Sequence, residues 1–108
     1  MLISPCSGDF PRNQAYAREA FLHSATVGDR NGVLEAPIGG HATWAFTGFL
    51  DDSIPEHRTL GMECGEAWFD VADYGVVYGD LGVSPGMERD IAEMKKRFKE
   101  VQYRSIRK

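Results

Sequence analysis

Cysteine, long apolar runs and surplus basic charge are all scarce in this sequence, and each scarcity excludes a class of protein. The two cysteines, Cys6 and Cys64, belong to no CxxC or Cys/His array, so neither a zinc site nor a redox pair is predicted. No segment approaches the roughly 18 consecutive apolar residues of a membrane span, and no signal-peptide pattern opens the chain. We therefore expect a cytoplasmic protein without a membrane partner.

The charge balance disfavours nucleic acid as the main partner. Twelve Lys and Arg stand against 16 Asp and Glu, a formal net charge of -4, so no global positive field attracts a phosphate backbone. Basic residues do cluster at 95–108, but a solvated helix face and tail explain them equally well. With 108 residues, 43% of them hydrophobic, the chain can build the core of a single domain.

Strand and helix patterns alternate along the first half of the chain. Residues 1–4 form a short apolar run that Pro5 ends, which predicts a first strand. Helical spacing of apolar residues follows at 12–26, where Asp9 or Asn13 is a candidate cap. Residues 33–38 predict a second strand, although Pro37 weakens it or places it at a sheet edge. We interpret 39–52 as a loop.

The second half continues the alternation. The run Ser53-Ile54-Pro55-Glu56 has the form of a capping box and predicts a helix. Its buried face is expected to hold Leu60, Cys64, Ala67, Trp68 and Val71. Residues 74–78 predict a central strand. A well-specified helix begins at Ser84-Pro85 with a core stripe of Met87, Ile91, Met94 and Phe98, and 101–106 form the last strand.

This order predicts an α/β domain of three layers, Rossmann-like or flavodoxin-like, with a parallel sheet of about four strands. In such sheets ligands bind beyond the carboxyl ends of the strands. The loops expected at that edge are 5–9, 39–44 and 79–84. Glu88 lies in the first turn of the third helix, where the helix dipole favours its ionised form. An ionised glutamate can act as the nucleophile of a glycosyl-transferring enzyme, but acidic residues also occur in first turns merely for dipole stabilisation.

A resemblance bears on that choice. The stretch 72–78, followed by Gly82-Val83-Ser84-Pro85-Gly86-Met87-Glu88, resembles the nucleophile-bearing segment of the nucleoside 2-deoxyribosyltransferase-like superfamily. The likeness extends to Ser4-Pro5, Ser7-Gly8-Asp9, Asn13, Tyr16, His41, 50–52, 55–56 and 60–65. Over most of its length the chain is similar to a bacterial and phage branch of that superfamily.

The resemblance implies a function and a site. Glu88 would be the nucleophile in cleavage or transfer at an N-glycosidic bond of a nucleoside or nucleotide. Asp80 would protonate the departing base, provided that burial near Glu88 raises its pKa. The side chains or backbone expected to line the pocket are Ser4, Ser7, Gly8, Asp9, His41, Ser84, Gly86 and Met87. For His41, ordinary loop hydrogen bonds are the alternative. No metal or organic cofactor is implied.

Two departures from the superfamily support a second hypothesis. Arg89 and Asp90 stand where its enzymes usually have Leu-Gly, and the chain is short. The alternative function is therefore a non-catalytic module that binds, sequesters or senses a nucleotide. A homo-oligomer is expected in either case, because so small a sheet leaves edges and apolar helix faces such as Trp68 and Phe69 to cover.

Overall fold

The computed structural model describes residues 1–6, 8–27 and 34–107. Their elements are β1 (Leu2–Ile3), α1 (Phe10–Val27), α2 (His41–Trp44), α3 (Pro55–Val71), β2 (Gly75–Tyr78), α4 (Pro85–Lys96) and β3 (Val101–Arg104). The alternation of strands and helices is confirmed as an α/β fold. None of the helices in the described part of the chain is long and apolar enough to cross a membrane.

The sheet is parallel and has the order β1-β2-β3. Leu2 pairs with Val76 on one side, and on the other side it forms a single bridge to Gly39. The described part of the predicted second strand, 34–38, contains no strand, and Val33 lies outside the described residues. Proline has no N–H to donate, which explains why Pro37 interrupts pairing there. The sheet among the described residues therefore has three strands rather than about four.

Helices cover both faces of this sheet. On one face Leu2, Val76 and Tyr78 pack against Tyr16 and Ala20 of α1. On the opposite face a second cluster joins the sheet to α3 and α4; its buried members are Met1, Ile3, Phe69, Ala72, Val77, Met87 and Met94. The alternation of side chains along a strand produces these two layers, since Val76 and Val77 point to opposite faces.

The buried face of α3 differs from the predicted one. Leu60 and Val71 are 48% and 71% exposed, whereas Gly61, Gly65 and Phe69 are buried. The reason is Trp44, only 1% exposed, which packs against α3 where Gly61 leaves room for its indole ring. The predicted helical spacing is correct. The side of α3 that is buried differs from the predicted side, because Trp44 of α2 packs against Gly61.

Three helix termini test the capping predictions. Asp9 caps α1, accepting from Arg12 N at 3.1 Å, and Ser84 caps α4, accepting from Met87 N at 3.3 Å. The capping box at Ser53 is wrong: Ile54 is the N-cap of α3 and makes no side-chain cap bond. Ser53 instead donates its hydroxyl to Asp51 Oδ1 at 2.6 Å.

The predicted core position Phe98 is also wrong. The helix α4 ends at Lys96, and Phe98 is 98% exposed. Its φ of 58° is left-handed, as in a Schellman cap. Phe98 N and Lys99 N donate to Lys95 O at 2.9 Å and Met94 O at 3.1 Å. This turn ends the helix before Phe98 can join the core stripe.

Candidate functional site

The carboxyl edge of the sheet is the natural place for a ligand in this fold. After β1 the chain continues through Ser4 to Cys6, whose carbonyl accepts from the Asn13 side chain at 3.1 Å. Asn13 is fully buried, so α1 holds this loop in place. Ser4 is half-buried, and Gly8, with a φ of 99°, is exposed beside Asp9.

Two predicted site positions lie wholly or partly outside the described residues. Ser7 lies outside the described residues. His41 begins α2, but its side chain also lies outside the described part of the structure. Their roles in the pocket stay predictions.

Asp80 follows β2 and is bound by four donors. The hydroxyls of Tyr16 and Ser105 and the backbone N–H groups of Ile106 and Arg107 all donate to its carboxylate. Burial alone would raise the pKa of Asp80, but these hydrogen bonds outweigh it and hold the pKa well below its usual value. The predicted rise was therefore wrong. Asp80 fastens the end of β3 to α1 and is poorly suited to give up a proton.

Glu88 lies in the first turn of α4, as predicted, and is exposed. Ser84, at the N-cap, is half-buried and is bonded to Met87, while Gly86 is exposed. The side chain of Met87 is 1% exposed and belongs to the core between α4 and the sheet. Of these residues, Glu88, Ser84 and Gly86 remain available to a ligand, and Met87 serves packing.

Asp90 is the residue that the pattern analysis missed. It lies in a small cleft between α2, α3 and α4 with a volume of about 10 Å³. The cleft is lined by Gly40, Trp44, Gly61, Met62, Gly65, Phe69, Arg89 and Asp90. A Cβ built on Gly40 would lie 3.9 Å from Asp90 Oδ2. No described residue donates a hydrogen bond to this carboxylate.

Burial gives Asp90 an unusual acidity. Desolvation raises its pKa to about 6, with Arg89 opposing the shift and Glu93 adding to it. A sequence signal for this position existed, because Met87, Asp90, Ile91 and Met94 follow the i, i+3, i+4, i+7 spacing of the buried face of α4. A carboxylate on that stripe must lie against the rest of the molecule. Asp90 faces α2 and α3, whereas Asp80 faces α1.

Two larger grooves flank α2 and the segment after it. One, of about 460 Å³, lies between Phe10 and the 45–53 segment. The other, of about 450 Å³, is lined by Gln14, Ala17, Arg18, Phe21, Thr43, Phe46 and Thr47. Phe10 and Phe46 stack edge to face between them, with ring centroids 5.0 Å apart. Both grooves fall within the usual range of about 300–1,000 Å³ for small-molecule sites.

The chemistry of the edge can be stated from these residues. Within the described residues, no group of three His, Cys, Asp or Glu side chains is arranged to hold a metal ion. What the edge offers is a desolvated carboxylic acid, an exposed glutamate on the same helix and grooves with aromatic walls.

Fold and cleft together define an α/β domain with a parallel sheet and a candidate site between α2, α3 and α4. A family model described as a domain of unknown function, DUF7768, matches residues 1–104, so the chain belongs to that family. Among curated proteins and solved structures, none matches this chain significantly.

Proposed function

We propose that this protein cleaves or transfers the N-glycosidic bond of a nucleoside or nucleotide, using a carboxylate near the start of α4 as nucleophile. One observation carries the proposal: Asp90 sits in a cleft between α2, α3 and α4, without a hydrogen-bond donor among the described residues. A carboxyl group desolvated in this way, with a pKa near working pH, is typical of residues that exchange protons or attack substrates.

Two carboxylates compete for the nucleophilic role. Superfamily resemblance favours Glu88, while position in the cleft favours Asp90. They are two residues apart, about 200° around a helix, so they point to different sides of α4. Glu88 is exposed and Asp90 is partly buried. A reaction at Asp90 would therefore be better shielded from water.

The reaction follows from the chemistry of the anomeric carbon. The carboxylate oxygen bonds to that carbon as its bond to the base nitrogen breaks, through a positively charged oxocarbenium-like state. The departing base takes its proton from water, since Asp80 is held by four donors. Water, or a second base, then releases the sugar from the enzyme. No metal or organic cofactor takes part in this scheme.

A substrate larger than the cleft needs adjoining space. The cleft of about 10 Å³ holds no more than a water molecule. The neighbouring grooves at Phe46 and Phe10 are wide enough for a nucleobase and offer aromatic faces. We infer that α2, which separates these grooves from Asp90, moves when substrate binds.

Paired variants test the assignment. Asp90→Asn and Glu88→Gln are each compared with wild type for release of free base from a panel of nucleosides and nucleoside monophosphates. Glu63→Gln, on the exposed face of α3, is the matched control. Loss of base release in one variant alone identifies the nucleophile. Equal turnover in both variants and wild type would refute a carboxylate of α4 as nucleophile.

A non-catalytic nucleotide-binding module is the second candidate. It is favoured by the commitment of Asp80 to structural hydrogen bonds, which leaves the leaving base without the expected acid. Calorimetry with the same panel separates the two functions: saturable binding without released base supports the module. A cytoplasmic location and self-association complete the proposal.

A further inference from the structure

The outer edge of β3 carries a surface that the proposed catalytic site does not use, and the inference drawn from it rests on the proposed self-association. Within the described residues no strand pairs with that edge, because β3 is the last strand of the order β1-β2-β3. An unpaired edge presents a row of N–H and C=O groups that favours pairing with another strand. No proline or glycine interrupts the strand Val101–Arg104.

Two exposed aromatic rings lie along this edge. Tyr103 is 62% exposed, on the sheet face that its partner Val77 shares with α3 and α4. Phe98 is 98% exposed in the turn that leads into β3. Its left-handed φ of 58° is unfavourable for a bulky residue and is usually given to glycine. The sequence nevertheless has phenylalanine at this position, so that an apolar side chain is in full contact with water.

We propose that β3 pairs with β3 of a second copy of this chain, antiparallel about a two-fold axis at Gln102, to form a homodimer with a continuous six-stranded sheet. This register is self-complementary. It sets Val101 of each copy opposite Tyr103 of the other. An aromatic residue opposite a β-branched one is a favourable cross-strand combination. A shift by one residue loses this pair.

Exposed aromatic rings enlarge the interface that this edge can form. A stable interface usually takes about 800 Å² from each partner, more than a four-residue strand alone buries. Phe98 and Tyr103 add apolar area to the strand, because a fully covered aromatic side chain buries about 150–250 Å². Arg104 keeps its bidentate contact with Glu35, whose oxygens lie 2.7 and 2.8 Å away. The strand therefore pairs without giving up an internal ion pair.

Two variants of the edge test the proposal. Phe98→Gly removes the aromatic ring but relieves the left-handed backbone, so we expect a higher unfolding temperature at low concentration together with dimerisation weakened at least about tenfold. Tyr103→Lys puts charge at the centre of the interface and should weaken dimerisation by a similar factor. Leu22→Lys is the matched control, since Leu22 is 65% exposed on α1, away from the edge.

Sedimentation equilibrium of the full chain supplies the readout. The expected result is a dimer in wild type and Leu22→Lys, and a monomer in Phe98→Gly and Tyr103→Lys at the same concentration. A wild-type monomer from micromolar to millimolar concentration would overturn the proposal. So would a dimer that both edge variants leave intact, because another surface would then form it.

Discussion

Gly61→Ala is the sharpest perturbation of the contact that shapes the candidate cleft. A Cβ on Gly61 would lie 2.3 Å from Trp44 Cε2, 2.6 Å from Cδ2 and 2.7 Å from Cζ2. No real Cβ tolerates such distances, so either the indole or α3 must move. Trp44 is 1% exposed, so its indole ring is buried.

The magnitude follows from two opposing terms. Replacing glycine by alanine within a helix gains about 1 kcal/mol of propensity. Overpacking a full core costs about 1–3 kcal/mol, and more when a large ring is displaced. Because the rigid indole is the obstacle, we expect the larger figure and a net loss of about 2 kcal/mol, or roughly 8–16 °C in unfolding temperature for a domain of this size.

Gly65→Ala provides the control on the same helix. The nearest atom to its added Cβ is Phe69 Cε2 at 3.9 Å, an ordinary contact. The propensity gain should therefore remain, and the variant should be more stable than wild type by about 0.5–1 kcal/mol. Thermal and urea unfolding by circular dichroism measure both variants. If Gly61→Ala matches Gly65→Ala in stability, Trp44 is not packed against α3 as described.

Three further changes give distinct outcomes. Glu35→Gln leaves the Arg104 guanidinium partly buried without its carboxylate, and urea unfolding should show a loss of about 3–5 kcal/mol; a loss under 1 kcal/mol would contradict the ion pair. Asp80→Asn should destabilise by about 1–3 kcal/mol and free the 105–107 segment to exchange amide hydrogens, because an amide cannot accept from four donors; unchanged exchange would argue against the clamp. Folding raises the pKa of Asp90 from 3.8 to about 6. As the pH increases, Asp90 therefore ionises first in the unfolded state, and the wild-type protein loses stability between about pH 4 and 6. Asp90→Asn should lack that loss and be more stable at pH 7 by about 1–2 kcal/mol, allowing for partial exposure; identical pH profiles would refute the shift.

The pKa of Glu35 gives stability the opposite dependence on pH. Burial would raise that pKa, but hydrogen bonds from Arg104, Ser24 and Tyr74 lower it to about 2, from 4.5. A depressed folded pKa means that the stabilisation is complete above about pH 4.5 and is lost as pH falls toward 2. The stability profiles of wild type and Glu35→Gln should therefore converge in acid.

Local patterns were enough to predict much of the fold. Pro5 marks the end of a strand, and Asp9 and Ser84-Pro85 mark the starts of helices, through effects on neighbouring residues alone. The structure places β1, α1 and α4 accordingly. The apolar run at 74–78 became β2 because a fully buried strand needs apolar side chains on both faces.

Contacts between distant segments defeated the remaining predictions. The short helix α2 and the buried face of α3 depend on the packing of Trp44 against Gly61, two residues that no local window of sequence contains together. Ser105 and Tyr16, which are 25 and 64 residues away from Asp80, donate hydrogen bonds to its carboxylate and so lower its pKa instead of raising it. The failed cap at Ser53 has a local cause, because its hydroxyl donates to Asp51 two residues before it.

The site shows the same division. The carboxyl edge and Glu88 at the start of α4 follow from strand order and helix spacing. The acidity of Asp90 arises from the cleft that α2 and α3 close over it, so only the folded chain reveals it.

The buried polar cluster around Glu35 has a consequence for synthesis of the chain on the ribosome. Glu35 and Arg104 are 69 positions apart, so the guanidinium is synthesised long after the carboxylate. Until then Glu35 has no cation to neutralise it beneath α1 and cannot be desolvated without cost. A nascent chain that stops short of β3 should accordingly stay open and accessible to proteases and chaperones, and acquire protection in one step once residue 104 has left the exit tunnel.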